Sequence, residues 1–584
     1  MTPHHSNSKK RHLTIDDVLK MDTFLGMHAP CFSFSPDGGR LAFCVQRSLQ
    51  QATRHTDFFL GGVARSELWV VDLTSMHMER VTLDGDGFGP CWSPDGTALA
   101  FGVATAQSIR LSVLELKNRR RVTPLPIGNL ELRGKRPFEW IDGARLACAI
   151  VRGEGKPRLL DIDRRACRSA TAAWALLDRP PANTASVLDS PAADTSPMHA
   201  DEGTGDYVVF DLRTGETVAA LESGQQEALS VFIQRFNRQP SDPIDDRDAD
   251  TPPEIAHGEL VASHPASGKW LFLVEDVAGT ALTLVDRTKD RPVELFRTNR
   301  HLAEIDAGAI RDVDFIDSEG KPNKVRVLLP PNHGEGRAYP AVVWVYPGAT
   351  VGPQCRHLLK PHEAGPFCLQ LLAAHGYVVI EPDLSLPSDL GSRNLAQWTA
   401  LRVEQAVAAA STTGLVDVRQ LHVMGHSLGG WAAMALLVET DLFRSGIAMA
   451  GVSNVASFHG TFDARFRYDD DNEATVSLAE MCERVFRIPG PPCKFLDRYN
   501  EISPVFGAHR IAAPLIIVQG DQDYVGIAQG EEMYSALRRL GKPVRFVRYW
   551  GEGHVISGAE NIKDMWARLI DWLGETGRKD IGVQ

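Results

Sequence analysis

The chain has 584 residues, too many for one ordinary domain, and 43% of them are hydrophobic and 23% charged, as in soluble globular proteins. Its 62 Lys and Arg against 74 Asp and Glu leave a formal net charge of −12, which argues against general nucleic-acid binding. Nine cysteines are an odd number at low density, so a disulfide scaffold is excluded. Cys482 and Cys493 could pair, but reduced thiols are expected.

The amino-terminal segment, residues 1–12, is polar and basic, and we expect it to be disordered. It lacks the apolar core of a secretory signal peptide. No run in the chain approaches the ~18 apolar residues that a transmembrane helix needs. These observations predict a cytoplasmic protein without a membrane segment. The first predicted helix follows at residues 14–21.

The first half of the chain repeats a strand–turn–strand unit. Residues 32–45 (FSFSPDGGRLAFCV) and 91–103 (CWSPDGTALAFGV) share a Ser-Pro-Asp-Gly turn. In this turn Pro presets φ, Asp accepts hydrogen bonds from the turn backbone and Gly supplies a positive φ. Looser copies of the unit occupy residues 138–150 and 263–274.

Recurrent hairpins of this kind are typical of a β-propeller, in which each blade takes about 40–45 residues. We therefore predict an all-β propeller over residues 13–310, with about seven blades. Two stretches, 186–205 and 238–257, are polar and rich in Asp, Pro and Ser. They are predicted to be loops on the propeller rather than linkers between domains.

The second half, residues 311–584, alternates apolar strands with helices. The predicted strands cover residues 325–329, 341–346, 377–380, 421–424, 446–449, 515–518 and 544–549. The predicted helices cover residues 395–410, 431–438, 530–540 and 559–573. Val-, Ile- and Leu-rich strands that alternate with amphipathic helices indicate a doubly wound, mostly parallel α/β sheet.

A motif for nucleophilic catalysis lies within residues 421–438, LHVMGHSLGGWAAMALLV. A short apolar strand runs into GHSLG and then into a helix, which is the strand–turn–helix context that a G-x-S-x-G nucleophile elbow requires. The turn is so sharp that a bulky residue two places before or after the serine would clash, so Gly425 and Gly429 fit it. Ser427 is therefore the predicted nucleophile, with its hydroxyl exposed at the start of the helix.

A serine hydroxyl needs a general base at neutral pH. Asp521 and Asp523 follow the predicted strand 515–518, and His554 stands in a Gly-rich loop after strand 544–549. All three lie just past the carboxyl end of a strand, where open α/β sheets build their sites. The chain order Ser, acid, His is that of α/β-hydrolases. His554 is thus the predicted base, with Asp521 or Asp523 as its partner.

Taken together, these motifs resemble the prolyl oligopeptidase family of serine peptidases, in particular its bacterial acylaminoacyl-peptidase-like members. The SPDG turns, then GHSLGG, GDQDYV and WGEGH, carry the resemblance over most of the chain. It implies a β-propeller, residues 13–310, that covers an α/β-hydrolase catalytic domain, residues 311–584, with the active site between them. It also implies that the early helix packs near the catalytic domain and that the propeller limits access to short peptides.

The resemblance also implies which residues form the site. In the family the acid stands three residues after the glycine that ends the strand, which is Gly520 here. This implies a catalytic triad of Ser427, Asp523 and His554. In such a triad the base removes the proton of the serine and the acid orients the base.

Other site residues follow from the same resemblance. The family uses a Tyr hydroxyl in its oxyanion hole, and WVYPG places Tyr346 in the similar position, with the backbone N–H of Leu428 as the second donor. Segment 452–462 is similar to the wall of the P1 pocket, where Phe458 and Phe462 could bind an apolar side chain. Two core aromatics at helical spacing are the alternative interpretation of this pair.

Two departures from the family bear on the substrate. Leu428 stands where the family often has Tyr or Asn, and it is similar to the residue in general esterases and lipases. Dipeptidyl members carry a Glu pair on the propeller side, but the adjacent pair here is Glu531-Glu532, on a predicted helix of the catalytic half. Dipeptidyl-peptidase activity is therefore disfavoured.

The sequence thus predicts a serine peptidase that acts on short peptides through an acyl-enzyme. An esterase or a hydrolase of a specialised amide, with the same triad, is the alternative. A non-catalytic binding protein is a further alternative, against which the intact triad argues. No H-E-x-x-H, Walker or dinucleotide motif is present, so no metal and no cofactor are expected. We expect neither nucleic acid nor a membrane as a partner, and self-association into a homo-oligomer is left open.

Overall fold

In the computed structural model of the chain, the described residues form two units, defined by the contacts within each. The α/β unit contains the described residues up to Val18, those of Ala166–Ala200 and those from Glu304 onward. The β unit contains those of Leu19–Arg165 and Asp201–Ala303. The structure describes residues 10–24, 29–52, 63–81, 83–116, 121–132, 137–151, 157, 160, 171, 175, 206–218, 255, 258–306, 308–334, 336–351, 365–388, 390, 393–463 and 478–578.

Four antiparallel sheets of four strands make up the described part of the β unit. The first holds β2 (Phe32–Phe34), β3 (Arg40–Gln46), β4 (Ser66–Asp72) and β5 (Met78–Arg80). The second holds β6 (Asp86–Trp92), β7 (Ala98–Ala104), β8 (Ile109–Glu115) and β9 (Arg121–Pro124). The third holds β10 (Phe138–Trp140), β11 (Arg145–Ile150), β12 (Asp206–Asp211) and β13 (Glu216–Val218). The fourth holds β14 (Gly258–His264), β15 (Lys269–Asp276), β16 (Gly279–Asp286) and β17 (Val293–Thr298).

The predicted Ser-Pro-Asp-Gly turns join the first two strands of the first and second sheets. In the first sheet the Asp37 carboxylate accepts from the Ser35 hydroxyl at 2.5 Å and from the Gly39 N–H at 2.9 Å. Gly38 has a φ of 63°, the left-handed conformation that the turn requires. These hydrogen bonds lower the pKa of Asp37, as an ionised acceptor requires.

Successive sheets of the β unit are tied together by tryptophans. The Trp92 indole N–H donates to the Ser33 carbonyl of the first sheet at 3.0 Å. The Trp140 indole N–H likewise donates to the Cys91 carbonyl of the second sheet at 2.9 Å. A repeated four-stranded sheet with a repeated contact to the preceding one is the blade arrangement of a propeller.

Parts of the predicted propeller lie outside the described residues. Strands β11 and β12 pair with each other, so residues 151–205 connect two neighbouring strands of one sheet. The predicted loop 186–205 falls entirely outside the described residues, as do residues 238–257 apart from residue 255. The count of seven blades therefore stays a prediction. The predicted disorder of the amino terminus stays a prediction for residues 1–9, which are not described, but it is wrong for Arg11 and His12, which form a strand.

The α/β unit is built on one sheet of eight strands in the order β19-β20-β22-β21-β23-β24-β25-β26. Its strands are β19 (Ala309–Ile316), β20 (Pro322–Leu329), β21 (Tyr339–Trp344), β22 (Val378–Pro382), β23 (Val416–His426), β24 (Ser445–Met449), β25 (Leu515–Gly520) and β26 (Val544–Tyr549). From β22 to β26 the neighbouring strands are parallel, whereas β19 and β20 form an antiparallel edge. Every strand predicted for this half lies in the sheet, and β19 is an additional strand.

Helices cover both faces of this sheet. The described helices of the unit are α1 (Ile15–Leu19, whose last residue falls in the β unit), α2 (Gln370–Ala374), α3 (Leu395–Ser411), α4 (Leu428–Glu439), α5 (Val455–His459), α6 (Ala479–Phe486), α7 (Pro492–Glu501), α8 (Ala528–Arg539) and α9 (Ala559–Arg578). Alternate strand residues point to opposite faces. Val343, Val423 and Ile517 face the core that contains α3 and α4. Under this two-layered cover every residue of β24 and β25 is buried.

The amino-terminal elements lie on the α/β unit. Strand β1 (Arg11–His12) pairs in parallel with β18 (Ile305–Asp306). Lys563 of α9 forms an ion pair with Asp16 of α1 at 3.1 Å. The Asp17 carboxylate accepts from Arg11 and from Thr14, and these bonds hold its pKa down at about 2 against the opposing effect of burial.

The predicted domain limits differ slightly from this division. Strand β19 begins at Ala309 and pairs with β20, so the predicted boundary between residues 310 and 311 falls inside a strand of the α/β sheet. The two cysteines of uncertain pairing are both free thiols: Cys482 is buried and Cys493 is exposed. Within the described residues no helix is long and apolar enough to cross a membrane.

Candidate active site

The nucleophile elbow lies between β23 and α4. Ser427 has φ 59° and ψ −121°, a strained conformation for a residue with a side chain, and its N–H donates to the Met449 carbonyl at 2.8 Å. A Cβ added to Gly425 would lie 2.2 Å from the Gly429 carbonyl oxygen, and one added to Gly429 would lie 2.1 Å from the Val345 carbonyl oxygen. The backbone packs so closely that only glycine fits at both positions.

A chain of hydrogen bonds joins Ser427, His554 and Asp523. His554 Nε2 lies 2.7 Å from the Ser427 hydroxyl oxygen, and His554 Nδ1 lies 2.8 Å from Asp523 Oδ1. The Asp523 side chain is fully buried, whereas the His554 side chain is 19% exposed. The Asp523 carboxylate also accepts from the Val525 N–H at 2.8 Å. Because the Asp523 carboxylate accepts a hydrogen bond from Nδ1–H, Nε2 is left without a hydrogen and can accept the serine proton.

Asp521, the other acid left open by the sequence, has different partners. Its Oδ1 accepts from the Gly551 N–H at 2.6 Å, and its Oδ2 accepts from the Gln522 side chain at 2.7 Å. The bond from Gly551 ties the end of β25 to the turn after β26. The geometry therefore favours Asp523 as the partner of His554.

Two aromatic rings contact the His554 imidazole. The ring centroid of Tyr524 lies 4.3 Å away and that of His426 lies 4.8 Å away. His426 Nε2 is 2.6 Å from the His554 carbonyl oxygen. Burial and, to a smaller extent, the nearby His554 together lower the pKa of His426 to about 4. His426 is therefore neutral at physiological pH.

A buried glutamate holds the loop that carries His554. The Glu552 side chain is fully buried, and its carboxylate accepts from the N–H groups of Ser557 and Gly558 at 2.8 and 3.0 Å. It also accepts from the Asn561 side chain, at the start of α9, at 2.6 Å. Analysis of the sequence missed both Glu552 and the contacts of His426. The motif WGEGH marks the loop, but the partners of its glutamate are set by tertiary structure.

The two predicted oxyanion donors flank the elbow. Leu428 is the first residue of α4, so its N–H has no acceptor within the helix. Tyr346 follows β21, and its side chain is 36% exposed. A Cβ on Gly429 would lie 3.4 Å from the Tyr346 ring, which shows that this ring borders the elbow.

The two predicted pocket aromatics have different surroundings. Phe458 of α5 is only 3% exposed and packs in the core of the unit, which agrees with the alternative interpretation of this residue as a core aromatic. Phe462 is 39% exposed. A substrate-binding role for either residue stays a prediction. Glu531 and Glu532 lie on α8, as predicted, and Glu532 accepts from the side chains of Asn454 and Ser457.

Among the residues that the structure describes, no group of three or more His, Cys, Asp and Glu side chains could hold a metal ion. The triad is a buried carboxylate, an imidazole and a hydroxyl in a hydrogen-bonded series. Such an arrangement can activate the hydroxyl as a nucleophile.

Comparison with known proteins agrees with this geometry. Residues 366–579 match the model of the prolyl oligopeptidase family. This stretch contains the elbow, both candidate acids and His554. The family resemblance read from the sequence is thereby confirmed.

Curated relatives match over less than half of the chain. An uncharacterized peptidase, YuxL of Bacillus subtilis, is 26% identical over 257 residues, 41% of this chain and 35% of that protein. The human acylamino-acid-releasing enzyme is 26% identical over 201 residues, 32% of this chain and 24% of that enzyme. The matched stretches thus span about a third or less of these relatives.

Solved structures are similar over nearly the whole chain. The AtxE2 isopeptidase has a TM-score of 0.62 at 16% identity, with 97% of this chain and 96% of that chain covered. The acylaminoacyl peptidase of Pyrococcus horikoshii has a TM-score of 0.56 at 15% identity, with 94% and 96% covered. At this identity the likeness concerns the fold alone. It confirms the predicted fold class, an α/β-hydrolase domain preceded by an all-β propeller.

Proposed function

We propose that this chain is a serine peptidase that hydrolyses peptide bonds of short peptides. The observation that carries the proposal is the hydrogen-bonded series from Ser427 through His554 to Asp523, with separations of 2.7 and 2.8 Å. It stands at the carboxyl ends of parallel strands in a prolyl oligopeptidase family domain. A series of these three groups activates a serine hydroxyl in acyl-transfer enzymes on unrelated folds.

In the proposed mechanism, Ser427 Oγ forms a bond to the carbonyl carbon of the substrate while its proton moves to His554 Nε2. Asp523 holds the Nδ1–H of His554 and stabilises the imidazolium that results. His554 then gives the proton to the leaving amine, and the C–N bond breaks to leave an ester on Ser427. Water, deprotonated by His554, releases the acyl group and restores the serine.

The oxyanion of the tetrahedral intermediate needs donors beside Ser427. The Leu428 N–H is suited to this because the first turn of a helix presents N–H groups without partners and carries a partial positive charge. The Tyr346 hydroxyl is proposed as the second donor. One such donor contributes roughly 10²–10³ in kcat. This mechanism uses no metal and no cofactor.

A second candidate function is the hydrolysis of an ester or a specialised amide by the same triad. Leu428, which is similar to the residue in esterases and lipases, favours it. The AtxE2 isopeptidase, whose structure aligns with almost all of this chain, suggests an isopeptide bond as one such amide. The human relative, by its name, releases acylamino acids. Short peptides in the cytoplasm remain the proposed substrates of this chain.

The two functions are separated by substrates that share an acyl group. An N-acyl amino acid is supplied as an activated ester, as a peptide amide and as an isopeptide-linked peptide, to the wild-type chain and to Ser427→Ala. The proposal expects cleavage of the peptide, with Ser427→Ala folded and inactive. Cleavage of the ester alone would assign an esterase, and cleavage of only the isopeptide would assign the specialised amide. Full activity of Ser427→Ala would exclude the triad.

A further inference from the structure

His426, the residue before the nucleophile, makes a hydrogen bond that the mechanism above does not use. Its Nε2 lies 2.6 Å from the carbonyl oxygen of His554, 128 residues away in the chain. A carbonyl oxygen can only accept, so Nε2 of His426 carries the hydrogen. The His426 side chain is 4% exposed, so the bond is shielded from water. This hydrogen bond joins the end of β23 directly to the backbone of His554, the proposed base.

The loop around His554 is held at other points on either side of that residue, by Asp521 before it and by Glu552 after it. Gly551 and Gly553 flank Glu552 and have no side chains to pack, and Gly551 has a φ of 79°. Glu552 fixes the part of the loop that follows, through Ser557 and its neighbours. Among the described residues, the hydrogen bond from His426 is the one that reaches the backbone of His554 itself.

The rings around His426 form a packed row. The Phe367 ring meets His426 edge to face at 5.1 Å, and Trp344 meets Phe367 in the same manner at 6.0 Å. His426 in turn contacts the His554 ring at 4.8 Å. Because burial keeps His426 neutral, no second positive charge stands beside His554 when it takes the serine proton. An uncharged ring can support the base without opposing its protonation.

We propose that His426 is a positioning residue for His554. The Nε2–H of His426 holds the backbone carbonyl group of His554, and the His426 ring supports the His554 imidazole. This contact keeps His554 Nε2 at hydrogen-bond distance from Ser427. The inference rests on the proposed triad. It concerns the activation of the serine and holds for peptide and ester substrates alike.

Two substitutions separate the donor from the ring. His426→Phe keeps a flat ring and removes the donor, whereas His426→Gln places an amide N–H near the position of Nε2. His422→Phe is the matched control, because His422 lies on the same strand, is fully buried, and hydrogen-bonds Ser445 at 2.8 Å. Burial and Arg444 lower its pKa to about 4, as burial and His554 lower that of His426.

The assay is hydrolysis of a chromogenic activated ester, with the labelling rate of Ser427 by a fluorophosphonate as a second reading. We expect His426→Phe to lower kcat roughly 10- to 100-fold, the range for one lost buried hydrogen bond, with KM unchanged. His426→Gln should recover most of this loss, and His422→Phe should keep kcat within about threefold. A thermal melt of each variant establishes that it is folded.

A second background distinguishes positioning from a general structural effect. In His554→Ala the residue to be positioned is gone, so adding His426→Phe should not change the residual rate. Wild-type kcat in His426→Phe, no recovery in His426→Gln, or an equal loss in the His554→Ala background would overturn the inference while leaving the triad intact. If the wild-type chain showed no turnover that depends on Ser427, the proposed function itself would fail, and the inference with it.

Discussion

Replacing Asp523 by Asn tests the role of the buried acid. Oδ1 of Asp523 accepts both from His554 Nδ1 and from the Val525 N–H, each at 2.8 Å. The Val525 N–H requires an oxygen at this position, so the new amide nitrogen is expected to replace Oδ2. Asp523→Asn then keeps the hydrogen bond to His554 and removes only the negative charge.

The size of the effect follows from that lost charge. A carboxylate about 4 Å from the centre of the imidazolium stabilises it by about 4 kcal/mol at an effective dielectric constant of ~20. That energy corresponds to about 10³ in rate. If the amide turned its N–H₂ toward Nδ1 instead, His554 would carry its hydrogen on Nε2, and the loss would reach about 10⁴. Asp523→Asn should therefore lower kcat by roughly 10³–10⁴.

The assay is single-turnover acylation of Ser427 by an activated ester, and Asp521→Asn is the matched control. Asp521 lies two residues away and accepts from the Gly551 N–H, so its substitution should change the rate by less than about tenfold. A loss of about 10³ in Asp521→Asn, with Asp523→Asn near wild type, would refute the reasoning and assign the acid to Asp521.

Two more changes test the elbow and the buried histidines. Gly429→Ala would place Cβ 2.1 Å from the Val345 carbonyl oxygen, so fluorophosphonate labelling should fall at least about 100-fold, whereas Gly460→Ala, whose Cβ would lie 3.9 Å from its nearest neighbour, should label normally. Burial lowers the pKa of His422 and His426 from 6.5 to about 4. Between pH 6.5 and about 4 each of these histidines binds a proton in the unfolded chain but not in the folded chain. Each histidine therefore lowers the free energy of unfolding by up to about 3 kcal/mol as the pH falls through this range. Thermal melts from pH 7 to 4.5 should show this loss, and a His422→Phe variant that lost as much as wild type would contradict it.

The elbow could be predicted from the sequence because its geometry imposes residue types. Gly425 and Gly429 are required by backbone atoms 2.1–2.2 Å from any added Cβ, so the pattern GHSLG carries the turn with it. The central strands could be predicted for a similar reason, since strands buried on both faces read as continuous apolar runs. The Ser-Pro-Asp-Gly turns likewise carry their own hydrogen-bonding groups.

Strand β19 shows where such patterns fail. It forms the edge of the sheet, and its sequence, AIRDVDFI, mixes charged and apolar residues because much of it faces solvent. Arg326 of the neighbouring strand binds Asp312 through two hydrogen bonds, a pairing that no local pattern indicates. An exposed edge strand of this kind resembles a polar connection in sequence.

The parts of the site that were missed depend on distant segments. His426 and Glu552 stand inside the two motifs, yet what they hold becomes apparent only when β23, the His554 loop and α9 come together. Phe458 is a converse case. Its spacing from Phe462 is compatible with a place in a substrate pocket or in the hydrophobic core. Only the packing of α5 shows that Phe458 lies in the core.

The most direct test of the central claim is a cleavage profile of the wild-type chain and Ser427→Ala against a mixed library of short peptides, free and N-blocked, read by mass spectrometry. The account predicts cleavage of short peptides by the wild-type chain and none by folded Ser427→Ala. Cleavage that persisted in Ser427→Ala would contradict the assignment of the nucleophile. Absence of any cleavage, with Ser427 still labelled by a fluorophosphonate, would contradict the peptidase and leave the triad to esters or a specialised amide.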